Sequence, residues 1–161
     1  MNIFEYAMEF EKDSENYYRD LAKNTKESGL KKILLMLADE EDKHYKKVEE
    51  LSKNVKTDLQ DSQILMNAVN IFTEIKKNKL KVDVKTSQVE LYRKAQGFER
   101  DSEKFYKDKA NETDDEELKN ILLHLAKQEE RHFILLENII QFISRPDQWI
   151  ENAEFNQMST Y

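Results

Sequence analysis

The sequence predicts an all-α fold: a four-helix bundle built from two repeated helical hairpins, with a long crossover between them and a short C-terminal helix. Three observations carry this expectation. The 161 residues include only 2 Gly and 1 Pro, so few positions interrupt a helix. Apolar residues recur at three- and four-residue spacing along four segments, the pattern of a helix with one buried face. The second half of the chain also repeats the first at an offset of 88 residues without a gap. Ala7, Glu11, Asp13, Ser14, Glu15, Tyr18, Asp20 and Ala22 return as Ala95, Glu99, Asp101, Ser102, Glu103, Tyr106, Asp108 and Ala110. Leu30, Ile33, Leu34, Leu35, Leu37, Ala38, Glu41 and His44 return as Leu118, Ile121, Leu122, Leu123, Leu125, Ala126, Glu129 and His132. At this length the chain, residues 1–161, is expected to form a single domain with a well-buried core.

The elements follow in order. Asn2 with Glu5 can cap the first helix, which is expected to run to about Lys26 with Phe4, Ala7, Glu11, Ser14, Tyr18 and Leu21 along its inner stripe. Gly29 marks the turn, and the second helix spans about Leu30 to Ser52 with Leu34, Leu37, Glu41, His44, Val48 and Leu51 inward, closing the first hairpin at about residues 2–52. Residues 53–86 form the crossover, with a short amphipathic helix expected over Ser62 to Lys77. A connection of this length can cross the bundle, and it is also long enough for a domain-swapped dimer in which one chain's hairpin completes the other's bundle. Ser87 with Glu90 caps the third helix, to about Asn111, with Tyr92, Ala95, Glu99, Ser102 and Tyr106 inward. Thr113 with Glu116 caps the fourth, whose stripe is Leu118, Leu122, Leu125, Glu129, His132, Leu136, Ile139 and Ile143, ending near Ser144 before Pro146. The second hairpin is thus about residues 87–144, and the tail, residues 145–161, has in Trp149, Ile150 and Phe155 the spacing of a short helix that covers the core.

The stripes contain residues that do not belong in an apolar core. Glu41-Asp42-Lys43-His44 and Glu129-Glu130-Arg131-His132 each place an acid and an imidazole three residues apart, on one helix face. Glu11 and Glu99 sit inward on the first helix of each hairpin. A buried carboxylate costs several kcal/mol or more unless it is protonated, paired or bound to a cation. One Glu from each of two helices with Glu-x-x-His from each of the other two is the ligand set of di-iron and di-manganese bundles. The charges balance as well, about −4 from four carboxylates against about +4 from two divalent cations. A lone inward His is more often a hydrogen-bonded core residue than a ligand, but its repetition with Glu at matching positions favours metal. Oxygen and imidazole donors suit iron or manganese, whereas structural zinc favours thiolates in a closed tetrahedral shell. Tyr18 and Tyr106 are placed to donate a hydrogen bond to a ligand carboxylate or to close the core with a satisfied hydroxyl. Tyr17 and Phe105 are expected to pack, and His124, off the inward stripe, to lie at the surface.

On these residues the chain resembles the ferritin-like di-iron carboxylate superfamily and, most closely, the rubrerythrin family, over roughly residues 1–145. The match is in the order Glu11, Glu41-x-x-His44, Glu99, Glu129-x-x-His132. The resemblance implies two iron ions, or manganese or a mixed pair. Glu41 and Glu129 would bridge them, with Glu11 and His44 terminal at one ion and Glu99 and His132 at the other. It implies reduction of hydrogen peroxide or dioxygen to water at facing open positions. Two departures matter. Rubrerythrins usually end in a rubredoxin module that holds iron through Cys-x-x-Cys pairs; this chain has no cysteine, so the expected electron donor is external, a rubredoxin or a flavoprotein. They also tend to carry a further glutamate where this chain has Ser102; Glu103 is a candidate to replace it, and Glu15 occupies the matching place in the first repeat. The alternatives are ferritin-like iron oxidation and storage, and a structural metal-binding bundle without a redox role.

Composition bounds the partners. Charged residues of both signs make up 37% of the chain and read as solvated outer faces. A net charge of −7 without a basic stripe argues against nucleic acid. No segment approaches the roughly 20 apolar residues of a membrane span, and the N-terminus lacks the pattern of a signal peptide, so a cytoplasmic location is expected; a homodimer, with or without the swap, is a separate expectation.

Overall fold

The computed structural model describes residues 3–53 and 86–144, and within them the chain forms four α-helices and no strand. They are α1 (Ile3–Lys23), α2 (Ser28–Ser52), α3 (Thr86–Glu112) and α4 (Glu116–Ser144). Helix α1 packs along α2, α3 packs along α4, and α1 also meets α3, which gives the two hairpins and joins them. The all-α four-helix reading therefore holds. The Asn2 cap, the Ser62 to Lys77 helix and the tail helix lie outside the described residues.

The core is split, and the split positions the site. One apolar cluster gathers Tyr18, Leu21, Leu34, Leu37, Tyr92 and Leu136 with their neighbours; the other gathers Ala7, Val48, Tyr106, Leu122 and Leu125 with theirs. On every helix the inward polar residues fall between the two: Glu11 between Ala7 and Tyr18, Glu41 and His44 between Ala38 and Val48. Glu99 likewise lies between Ala95 and Tyr106, and Glu129 and His132 between Ala126 and Leu135. Apolar burial on both sides, at about 25 cal/mol per Å², stabilises the bundle and leaves the middle layer for chemistry.

The helix ends differ from expectation for local reasons. Helix α1 stops at Lys23 rather than Lys26, because the next residues bond back to the last turn: Asn24 Nδ2 donates to the Asp20 carbonyl at 3.0 Å and Thr25 Oγ1 to the Leu21 carbonyl at 2.7 Å. Glu27 caps α2 by accepting from the Leu30 N–H at 2.6 Å, so Gly29 lies inside the first turn and does not mark the loop. Ser87 is already within α3. Thr113 is not the cap of α4: Asp115 Oδ1 accepts from the N–H groups of Glu117 at 3.0 Å and Leu118 at 3.2 Å, while Thr113 Oγ1 accepts from Asp115 N–H one step earlier.

Candidate metal centre

All six residues expected to bind metal converge in the polar layer and are fully buried. Their side-chain atoms form two groups, Glu11, Glu41, His44 and Glu129 in one and Glu41, Glu99, Glu129 and His132 in the other, with one donor atom from each residue within 4.8 Å of the rest. Glu41 and Glu129 belong to both groups, the geometry required of bridging carboxylates. His44 Nδ1 lies 2.7 Å from Glu129 Oε1 and 3.6 Å from Glu11 Oε1. His132 Nδ1 lies 3.0 Å from Glu41 Oε1 and 3.5 Å from Glu99 Oε1. The two imidazoles stack with centroids 5.6 Å apart and planes 10° from parallel, so the halves of the layer are related as the repeat predicts.

The tyrosines cross between hairpins. Tyr18 on α1 donates to Glu99 Oε1 on α3 at 2.5 Å, and Tyr106 on α3 donates to Glu11 Oε1 on α1 at 2.5 Å. Burial, then the charge of Glu99 on Tyr18 and of Glu11 on Tyr106, pushes both phenols well above 10, so both remain donors. Each tyrosine occupies one oxygen of its glutamate and leaves the other.

Those remaining atoms show what the layer suits. Glu11 Oε2, Glu41 Oε2 and Glu99 Oε2 are buried and meet no hydrogen-bond partner, and the buried His44 Nδ1 and Glu129 Oε1, 2.7 Å apart, meet none besides each other. Buried polar atoms are nearly always satisfied, and so many left over on converging metal-type ligands fit a cation pair. The four acids also divide the charge between them. Burial raises Glu41 and Glu129 well above 4.5, and the charges of the neighbouring glutamates raise them further. Burial acts the same way on Glu11 and Glu99. At Glu11 it is outweighed by the neighbouring Glu41, His44 and Tyr106; at Glu99 it is outweighed by His132, Glu129 and Tyr18, which hold the group down to about 2. Burial would lower His132, but the charge of Glu99 raises it, with a smaller contribution from Glu40.

The other residues singled out by the sequence lie elsewhere. Glu103 is gripped by Arg100 at 3.1 Å and Lys107 at 2.8 Å, and its counterpart Glu15 by Lys12 at 3.0 Å and Arg19 at 2.7 Å; both are buried ion-paired residues on the flank, in neither ligand group. Tyr17 and Phe105 pack edge-on against aromatic neighbours, and Tyr17 also donates to the Leu91 carbonyl at 2.6 Å. His124 is half-buried rather than fully at the surface. Sequence reasoning missed Gln128, whose Oε1 lies 2.7 Å from His44 Nε2. The one signal for it was its place directly before Glu129, matched by Glu40 before Glu41, but one more polar residue in so charged a chain does not stand out.

The sequence matches the family model described as rubrerythrin over residues 2–140. Neither curated proteins nor solved structures gave a match.

Proposed function

The chain belongs to the rubrerythrin family, and from that premise we propose that it is a non-haem di-iron protein that reduces hydrogen peroxide, or dioxygen, to water with electrons from an external donor. The observation that carries this reading is the convergence of donor atoms on Glu11, Glu41, His44, Glu99, Glu129 and His132, buried between two apolar clusters, with the second oxygens of Glu11, Glu41 and Glu99 left without a partner.

Glu11, Glu41, His44 and Glu129 would hold one ion, and Glu41, Glu99, Glu129 and His132 the other. An iron pair held there would supply one electron from each ion, enough with two protons to take hydrogen peroxide to two waters; dioxygen would need four electrons and four protons, the second two electrons coming from the external donor. The chain's own residues supply the surroundings. Tyr18 and Tyr106 hold one oxygen of Glu99 and Glu11 and so aim the second oxygen inward. Ala7, Leu37, Val48 and Leu125 on the two sides exclude water, which strengthens every charge interaction within the layer. With neutral imidazoles the six ligands offset two divalent ions, leaving little net buried charge. The external donor, a rubredoxin or a flavoprotein, returns the electrons.

The test is anaerobic loading with Fe(II), metal analysis, and peroxide consumption in the presence of a reductant. Two irons per chain and sustained turnover are expected. Consumption no faster than that of the same concentration of unbound Fe(II) would sink the proposal.

A further inference from the structure

Of the chain's two glycines, Gly29 lies in the first turn of α2, but Gly97 stands in the middle of α3, where glycine costs helix stability relative to nearly every other residue. Its counterpart in the first repeat is Glu9. The bundle itself gives no reason for the exchange: Gly97 is exposed, and among the described residues a Cβ built there meets no atom within 4 Å. Glu90, Lys94, Asp101 and Lys104 are exposed along the same outward face at helical spacing. Arg93, Arg100 and Lys107, on the α4 side of α3, are held in ion pairs, whereas these four charges form none among the described residues. Beside them Leu91 is 39% exposed, and Phe98 and Phe105 are half-buried against Tyr17 and Tyr6 of α1.

The order of these residues is self-complementary about the Gly97–Phe98 peptide. Lys94 and Asp101, of opposite charge, lie equally far on its two sides, and Glu90 and Lys104 match to within one residue. We propose that this face of α3 docks a second copy of the chain, the two α3 helices antiparallel across a twofold axis at Gly97. Each contact then occurs twice. Phe98 of each copy lies over Gly97 of the other, where the missing side chain lets the ring approach the helix backbone. Lys94 faces Asp101 and Glu90 faces Lys104, which fixes the register, and Leu91 and Phe105 add apolar area at the two ends.

The experiment is light scattering on the full-length protein over a concentration series, with circular dichroism on each sample. Wild type should be two chains per particle. K94E and D101K each set like charges across the axis and should weaken dimerisation roughly a hundredfold or more, while the K94E/D101K exchange should restore it. Recovery in the exchange separates the contact between copies from the contact of Lys94 Nζ with the Tyr17 ring, which the exchange does not return. G97K fills the gap with a better helix former, so it should lose the dimer and keep its helices; it decides the case in which a charge variant fails to fold. A wild type of single chains at every concentration, a dimer unmoved by G97K, or an exchange that folds without recovering the dimer would each overturn the proposal.

Discussion

Glu41 and Glu129 must lose protons to become ligands. In the metal-free protein burial and the neighbouring carboxylates raise both well above their ordinary 4.5, so a cation binding there competes with protons. Metal uptake should therefore release protons, and affinity should rise with pH; titration in buffers of different ionisation enthalpy measures the release. No release would mean that these two acids are not ligands. The sign for folding is opposite in the two pairs. A raised pKa means that the unfolded chain gives up its proton first, so Glu41 and Glu129 cost the metal-free protein stability as pH rises above 4.5. Glu99, held to about 2, contributes stability above 4.5 that is lost as pH falls toward 2. Glu129→Ala should accordingly end two-metal binding yet leave a folded helical protein, since it removes one of four crowded buried acids. Circular dichroism and metal analysis on the same sample check both halves; two equivalents still bound would refute the ligand assignment. Tyr18→Phe strips the hydrogen bond from Glu99 Oε1 and should weaken metal binding roughly 10–100-fold while the ligands themselves stay in place.

At the scale of the element, the inner stripe of each helix was legible because every residue on it obeys one period, and a Glu or His at an otherwise apolar position is conspicuous. That is why the four helices and all six converging residues could be read from the chain. Helix ends were less legible because several candidate caps compete within a few residues. Thr113 with Glu116 has the spacing of a capping box, but Asp115 lies nearer the first turn and takes two N–H groups. Glu27 is an uncommon cap, so Gly29 was the stronger written signal, although the chain turns before it. Flank residues were the hardest. Glu15 and Glu103 look solvated in a sequence with charges everywhere, yet each is covered by two basic side chains one turn away. Gln128 reads as another polar residue until α2 brings His44 to it. The cap assignment is open to test: Asp115→Ala should cost about 1 kcal/mol of stability in urea unfolding, and Thr113→Ala clearly less. The reverse order would restore Thr113 as the cap.

For the whole molecule the polar layer is also a joint. The helices run closest together within each hairpin, and besides the two apolar clusters that span both hairpins, Tyr18 to Glu99, Tyr106 to Glu11, His44 to Gln128 and His132 to Glu41 all link one hairpin to the other. A metal pair that takes ligands from all four helices would therefore tie the hairpins together, and its binding energy would appear as folding stability. At a hundredfold excess over Kd each ion contributes about 2.7 kcal/mol. Two ions then raise the unfolding midpoint by roughly 10–20 °C for a chain of this size. Paired thermal scans of metal-free and Fe(II)- or Mn(II)-loaded protein should show that rise, and Glu129→Ala should show far less of it. The same samples report assembly by light scattering, where a homodimer is expected and a large hollow shell would favour iron storage. A midpoint that does not move on loading would mean that metal does not bridge the hairpins, because no ligand can bind the folded layer, be absent from the unfolded chain, and leave the equilibrium where it was.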